Sequence, residues 1–101
     1  MAEVYKVKFM SRALRDLDGI YKHIAETLLE PGTALKLVEE IEREILSLEH
    51  FPNRCPTRKT GAYANKGYRQ LFVKNYTAIF RVDEAEKAVI VVTMRYSPSQ
   101  F

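Results

Sequence analysis

The spacing of hydrophobic residues changes along the chain and predicts a strand followed by a helix. Near the N-terminus, EVYKVKF alternates apolar residues with lysine, a period of two that is typical of a strand. The next apolar residues recur at three- and four-residue steps, which predicts a helix from about Arg12 to Leu29 with the Ser11 hydroxyl as its cap. The predicted buried stripe consists of Leu14, Leu17, Ile20, Tyr21, Ile24 and Leu28.

A second helix is predicted after Pro31 and Gly32, which end the first helix, with Thr33 as the second cap. Its narrow apolar seam is of the coiled-coil type, and four glutamates between positions 39 and 44 lie on the opposite face. We expect an antiparallel helical hairpin in which each seam is buried on the other helix or on a sheet. The seam consists of Ala34, Val38, Ile41, Ile45 and Leu48.

Pro52 ends the second helix and opens a polar loop, after which three strands are predicted. They run from about Tyr68 to Lys74, Tyr76 to Val82 and Ala88 to Tyr96. The order β-α-α-β-β-β predicts an α+β fold in one domain spanning residues 1–101. In this fold the helical hairpin packs on one face of a small, mostly antiparallel sheet.

The turns between these strands decide which residues face the helices. A two-residue turn at 74–75, where asparagine tolerates positive φ, places Val73 opposite Tyr76. A turn centred on position 85 places Ile79 opposite Val91. The predicted core face carries Leu71, Val73, Tyr76, Ala78, Phe80, Val82, Ile90, Val92 and Met94. The other face is mixed and carries Tyr68, Gln70, Phe72, Lys74, Thr77, Ile79, Arg81, Val89, Val91, Thr93 and Arg95.

Positive charge is concentrated in the second half of the chain. Residues 1–50 hold 7 basic and 10 acidic residues, whereas residues 51–101 hold 9 and 3, so the balances are −3 and +6. Arg81 and Arg95 on the mixed face either meet an anionic partner or form solvated pairs with carboxylates such as Asp83. Arg69 falls on the core side near its rim, unless a one-residue change in the turn moves it to the mixed face.

The composition excludes several classes of protein. The single cysteine, Cys55, excludes an internal disulfide and favours a reducing compartment, which we take to be the cytoplasm. The sequence has neither a secretory signal nor an apolar run of transmembrane length. Two histidines and one cysteine are too few for a zinc site. We therefore expect no membrane and no metal among its partners.

Three stretches of the chain carry a resemblance to a known family. They are SRALRDLDGIYKHIAE, ALKLVEEIEREILSLEHFPNR and GYRQLFVKNYTAIFRVDEAEKAVIVVTMRYS. In this order the chain resembles, over essentially its whole length, the RelE/ParE superfamily of toxins from bacterial type II toxin–antitoxin systems. The resemblance implies a plasmid-stabilisation or stress toxin that needs no cofactor and is neutralised by a cognate antitoxin. RelE-like members cut mRNA in the ribosome, whereas ParE-like members inhibit DNA gyrase.

The resemblance also implies site residues. In a nuclease, Arg69, Arg81 and Arg95 would bind phosphate and stabilise charge, and Tyr96, or else Tyr68, would donate a proton to the leaving group. A basic surface for the nucleic acid or other target is implied at Arg54, Arg58, Lys59, Lys66 and Lys74.

Two residues depart from the RelE-like pattern. Thr77 stands where RelE-like members tend to have an arginine, and Phe101 stands where some have a tyrosine. Both departures weaken the nuclease interpretation, and the long helices favour a ParE-like toxin, so both activities stay open. The alternative is a degenerate, non-toxic relative or a small RNA-binding or interaction module.

Overall fold

A computed structural model describes residues 4–57 and 67–96 of the chain. Its strands are β1 (Lys6–Phe9), β2 (Arg69–Val73), β3 (Tyr76–Asp83) and β4 (Ala88–Tyr96), and its α-helices are α1 (Ser11–Lys22) and α2 (Pro31–Leu46). A π-helical turn, His23–Thr27, extends α1, and two 3₁₀ turns, Ser47–Glu49 and Pro52–Arg54, follow α2. The predicted order of elements is confirmed.

The four strands form one mixed sheet in the order β1-β4-β3-β2. β1 is parallel to β4, whereas β2 with β3 and β3 with β4 are antiparallel. The helices pack on this sheet around one buried cluster, whose largest fully buried members are Phe80, Ile41 and Ile45. This arrangement confirms the predicted α+β fold.

Both predicted helix caps are wrong. Met10 is the cap position of α1, and Ser11 is already the first helical residue without a capping hydrogen bond. Pro31 begins α2 rather than ending α1, and Thr33 lies inside the second helix. Proline suits the first helical position because the N–H that it lacks would have no partner there.

The predicted stripe of α1 is correct in its centre and wrong at its ends. Leu17 and Ile24 are buried in the core, but Leu14 and Leu28 are exposed. Ala13 takes the buried position next to Leu14. The seam of α2 is confirmed, since four of its five positions are buried and Val38 packs against the core.

The register of β2 on β3 is confirmed, with Val73 opposite Tyr76, although the positive φ of the turn falls on Lys74 and not on Asn75. The register of β3 on β4 is wrong. The turn between them spans residues 84–87, and it pairs Asp83 with Ala88. This pairing puts Val82, not Arg81, opposite Val89.

A bulge in β4 then changes which residues face the helices. Phe80 lies opposite Val91 and Ile79 lies opposite Thr93, so Val92 is an extra residue in β4. Val89 and Val91 belong to the main core, where Ile90 and Val92 were expected, because the turn at 84–87 shifts the register by one residue; the bulge then keeps Met94 on the core face. The pattern of alternating residues cannot reveal a bulge, because every residue of this strand from 88 to 92 is apolar.

The far face of the sheet is less open than the sequence predicts. Ile79, Thr77 and Thr93 are buried although they lie outside the main cluster. Phe72, Arg81 and Arg95 are exposed. The far face is therefore covered at its centre and presents its arginines at separate positions.

Candidate target-binding surface and groove

Arg69 serves the packing of a loop. Its Nη1 donates hydrogen bonds to the carbonyl oxygens of Cys55, at 2.5 Å, and Asn53, at 3.3 Å. The adjacent Gln70 N–H donates to the carbonyl of Pro56 at 3.1 Å. Since Arg69 lies opposite Phe80, it is on the helix-facing side of the sheet, at its rim, as the two-residue turn predicts. These bonds anchor the segment after α2 to the edge strand β2.

Arg54 closes the end of the helical region. Its Nη1 donates to the carbonyl of His50 at 2.6 Å and to that of Phe51 at 3.1 Å, and its Nη2 donates to the Ser47 hydroxyl at 3.1 Å. These hydrogen bonds fix the segment between the two 3₁₀ turns that follow α2. The predicted target-binding residues Arg58, Lys59 and Lys66 lie outside the described residues.

Cys55, next to this guanidinium, has the character of a core residue. It is buried, and desolvation raises the pKa of its thiol, while the charges of Arg54 and Arg69 act in the opposite direction. A raised pKa keeps the thiol protonated and a poor nucleophile.

Arg81 and Arg95 are exposed on the far face of the sheet. Arg95 lies opposite Thr77, and Arg81 is four residues further along β3, a distance of about 13 Å at the rise of a strand. Among the described residues, Arg81 has no hydrogen bond or ion pair. Arg81 and Arg95 are therefore two exposed cations at separate positions on this face.

Tyr96 faces the other side of the sheet. It lies opposite Tyr76, and their ring centroids are 5.4 Å apart with the planes tilted by 58°. Burial raises the pKa of Tyr76, and the neighbouring Tyr96 raises it further. Because successive residues of a strand point to opposite faces, Tyr96 and Arg95 belong to different surfaces.

The two tyrosines line a groove of about 870 Å³ between α1, the π turn, α2 and the ends of β3 and β4. Most of its surface is apolar, and its charged lining residues are the cations Arg15, Lys36 and Lys74 and the acids Asp16 and Glu40. Lys74 of this turn lies 3.6 Å from Glu40 of α2 and so joins the turn to the helix. The lining includes Arg15, Ile20, His23, Ile24, Lys36 and Leu37. An apolar groove of this kind is suited to the apolar face of a segment of another protein.

The sequence analysis missed the groove because its walls come from elements distant in sequence. Asp16 is the clearest case: its Oδ2 accepts hydrogen bonds from the Thr93 hydroxyl at 2.6 Å and from the Met94 N–H at 3.1 Å. The only signal in the sequence is that Asp16 lies beside the apolar stripe of α1. Asp18, two residues on, instead pairs with Lys22 on the helix surface at 3.1 Å.

The structure thus divides the four predicted catalytic residues. Arg69 and Tyr96 are on the helix-facing side, at strands two positions apart in the sheet, and Arg81 and Arg95 are on the far side. The described part of the chain contains no cluster of metal-ligating side chains and no helix long and apolar enough to cross a membrane. The arrangement presents two surfaces, a cationic far face and a groove, rather than one reaction centre.

Comparisons with known proteins give one family model and several similar solved structures. A family model described as the ParE toxin of type II toxin-antitoxin system, parDE, matches residues 7–97. No curated protein matches the chain. Among solved structures, the chain is similar to one of the chromosomal ParDE system of P. aeruginosa, with 27% identity and a TM-score of 0.77 over 93% of this chain and 97% of that one.

Two further structures share the fold at lower identity. One is the RelBE2 toxin–antitoxin complex of Mycobacterium tuberculosis, with 18% identity and a TM-score of 0.63 over 96% of this chain and 95% of that chain. The other is the isolated RelE toxin of E. coli, with 16% identity and a TM-score of 0.50 over 95% of this chain and 87% of that chain.

Proposed function

The chain belongs to the ParE toxin family of type II toxin–antitoxin systems, and we propose that it stops growth by binding DNA gyrase rather than by cutting mRNA. Such a toxin acts through a complementary surface and needs no reaction centre. Its target would place it in the cytoplasm.

The separation of the predicted catalytic residues supports this proposal. Cleavage of RNA requires the acid, the base and the phosphate-binding groups within hydrogen-bond reach of one scissile phosphate. Arg95 and Tyr96 point to opposite faces, and Arg69 is bonded to two backbone carbonyls. No single phosphate can meet these three groups together.

Thr77 supports the same choice of activity. The position is only 1% exposed, so an arginine there, as in RelE-like members, would have to bury its charge. The small side chain of Thr77 instead fills a closed position in the sheet. The strand is therefore built for packing where a nuclease would carry a cation.

A cognate antitoxin is the second proposed partner. Similar folds come from a ParDE system and from a RelBE2 toxin–antitoxin complex. The groove beside Tyr76 and Tyr96 supports binding of an antitoxin segment there, since its apolar lining, with Arg15 and Lys36, complements an amphipathic chain that carries acidic residues. Occupation of the groove would neutralise the toxin.

A gyrase supercoiling assay with purified protein tests the proposal. We expect the wild type to inhibit supercoiling and the antitoxin to relieve the inhibition. Arg81→Ala and Arg95→Ala should each raise the concentration for half-inhibition about tenfold, equivalent to ~1.4 kcal/mol of binding. Arg43→Ala, an exposed arginine of α2, is the matched control and should have no effect.

Two outcomes would overturn the proposal. Primer extension on mRNA from induced cells should show no codon-positioned cuts, and cuts that disappear in Arg81→Ala would establish a nuclease instead. Induced expression without growth arrest would favour a non-toxic relative.

A further inference from the structure

Strand β4 extends beyond its parallel neighbour. β1 pairs with β4 only as far as Phe9 opposite Val91, and the Met10 N–H makes the last bond, to the Val91 carbonyl at 2.9 Å. Within residues 4–57 and 67–96, β4 continues to Tyr96 with a strand, β3, on one side only. The other edge of residues 92–96 therefore needs partners from outside the sheet for its backbone groups.

Asp16 provides those partners from α1. The helix begins directly after β1 ends, which brings its second turn beside the uncovered edge of β4. One carboxylate oxygen accepts both the Thr93 hydroxyl, at 2.6 Å, and the Met94 N–H, at 3.1 Å. Hydrogen bonds to an ionised acceptor are shorter and about twice as strong as neutral ones. Asp16 thus supplies a hydrogen-bond acceptor that a neighbouring strand would otherwise provide at this edge.

The residues held in this way come immediately before Arg95. The bulge at Val92 interrupts the ladder just before Thr93; beyond it β4 pairs again with β3 on one edge, and Asp16 binds the other edge. We propose that Asp16 is a positioning residue that holds the end of β4 so that the Arg95 guanidinium lies correctly on the surface for the target. This inference rests on the proposed function of Arg95 in gyrase binding.

The first experiment compares Asp16→Ala with the wild type. Loss of the carboxylate should speed amide hydrogen exchange of Met94 at least tenfold by NMR, because this N–H loses its acceptor. The concentration for half-inhibition of gyrase should rise about tenfold, equivalent to ~1.4 kcal/mol. Unchanged exchange at Met94, or faster exchange with unchanged inhibition, would overturn the proposal.

Two further variants separate position from charge and from folding. Asp16→Asn keeps an acceptor oxygen without the charge and should restore inhibition to within about threefold of the wild type. A loss as large as that of Asp16→Ala would assign the effect to charge and overturn the proposal. Thr93→Val removes only the hydroxyl bond, so it should cause a smaller loss of gyrase inhibition than Asp16→Ala. It provides the measurement if Asp16→Ala folds poorly.

Glu84 supplies the matched control at the opposite end of β3 and β4. Its carboxylate accepts hydrogen bonds from the Tyr5 hydroxyl at 2.9 Å and from Asn53 Nδ2 and Lys87 Nζ, both at 3.1 Å. Glu84→Ala should lower the melting temperature without changing inhibition. Equal loss of inhibition in Glu84→Ala and Asp16→Ala would show general destabilisation and overturn the proposal.

Failure of the proposed function would look different. A wild-type protein that never inhibits gyrase would refute that function, whereas the exchange rate of Met94 and the NMR contact between the Tyr76 and Tyr96 rings would still report whether Asp16 holds the strand.

Discussion

At the scale of single residues, two buried threonines show that burial and bonding are separate properties. Thr77 and Thr93 are each 1% exposed, on adjacent strands of the same sheet. The Thr93 hydroxyl donates to Asp16, whereas the Thr77 hydroxyl has no partner among the described residues. A buried hydroxyl without a hydrogen bond is unfavourable, and the same group with one contributes to stability.

Valine substitutions should therefore have opposite effects at these two positions. Thr77→Val removes an unpaired hydroxyl at constant shape and should leave the free energy of unfolding unchanged or raise it by up to ~1 kcal/mol. Thr93→Val should lower it by about 1–2 kcal/mol, because the Asp16 carboxylate loses a donor. Urea unfolding measures both, and equal effects of the two substitutions would contradict the assignment.

Glu84 makes stability depend on pH. Hydrogen bonds from Asn53, then Tyr5 and then Lys87 hold the pKa of the Glu84 carboxyl below its usual value of 4.5. A carboxyl whose pKa is lowered by folding stabilises the protein above its unfolded pKa, and this contribution is lost as the pH falls through the folded value. The stabilisation is therefore present at neutral pH and disappears under acid conditions.

Thermal unfolding across this pH range tests the Glu84 contacts. The wild type should be more stable than Glu84→Gln at neutral pH, and the difference should shrink as the pH falls below about 4.5. Asn53→Ala, which removes the donor with the largest effect, should reduce the same acid dependence. A constant difference at all pH values would argue against a lowered pKa.

At the scale of elements, α2 shows how sharply a helix separates neighbouring residues. Ile45 is fully buried in the core, and Leu46, the next residue, is half exposed. The seam of α2 was predictable because its apolar residues keep a constant helical period. The stripe of α1 was less predictable. Ala13 and Leu14 are adjacent, and only the packing of the folded chain shows that the smaller residue is the buried one.

Alanine substitutions at 45 and 46 should reproduce this contrast. Ile45→Ala should cost about 2–5 kcal/mol of unfolding free energy, since it leaves a cavity in a packed core. Leu46→Ala should change it by less than about 0.5 kcal/mol, because the side chain is already largely in water. Chemical denaturation of both variants measures the difference, and similar costs would mean that α2 is rotated relative to its described position.

At the scale of the whole molecule, the two proposed binding surfaces lie on opposite sides of the sheet. The far face presents Arg81 and Arg95, and the helix side presents the groove with Tyr76 and Tyr96. A target and an antitoxin can therefore each meet residues that are adjacent in the sequence and still use different surfaces.

Arg95 and Tyr96 provide a test of this separation. Arg95→Ala should weaken gyrase inhibition about tenfold and leave antitoxin binding within about twofold. Tyr96→Ala should weaken antitoxin binding and leave gyrase inhibition within about twofold, because it removes an aromatic contact worth about 0.5–1.5 kcal/mol at the groove. Titration calorimetry with the antitoxin and the supercoiling assay measure the two effects. Parallel losses in both assays would mean that the surfaces are one.

The sequence by itself determined the elements, their order, the seam of α2 and the pairing of β2 with β3. These features depend on local periodicity and on a short turn, which are written in neighbouring residues. The same patterns, with the family resemblance, also indicated a toxin with a basic second half.

Only the tertiary structure decided which of the candidate residues act together. The turn at 84–87 and the bulge at Val92 set the faces of β4, and contacts with a loop engage Arg54 and Arg69. Asp16 binds Thr93, which is 77 residues away in the sequence. Such contacts form when distant segments pack, and their energies depend on geometry that no local pattern encodes.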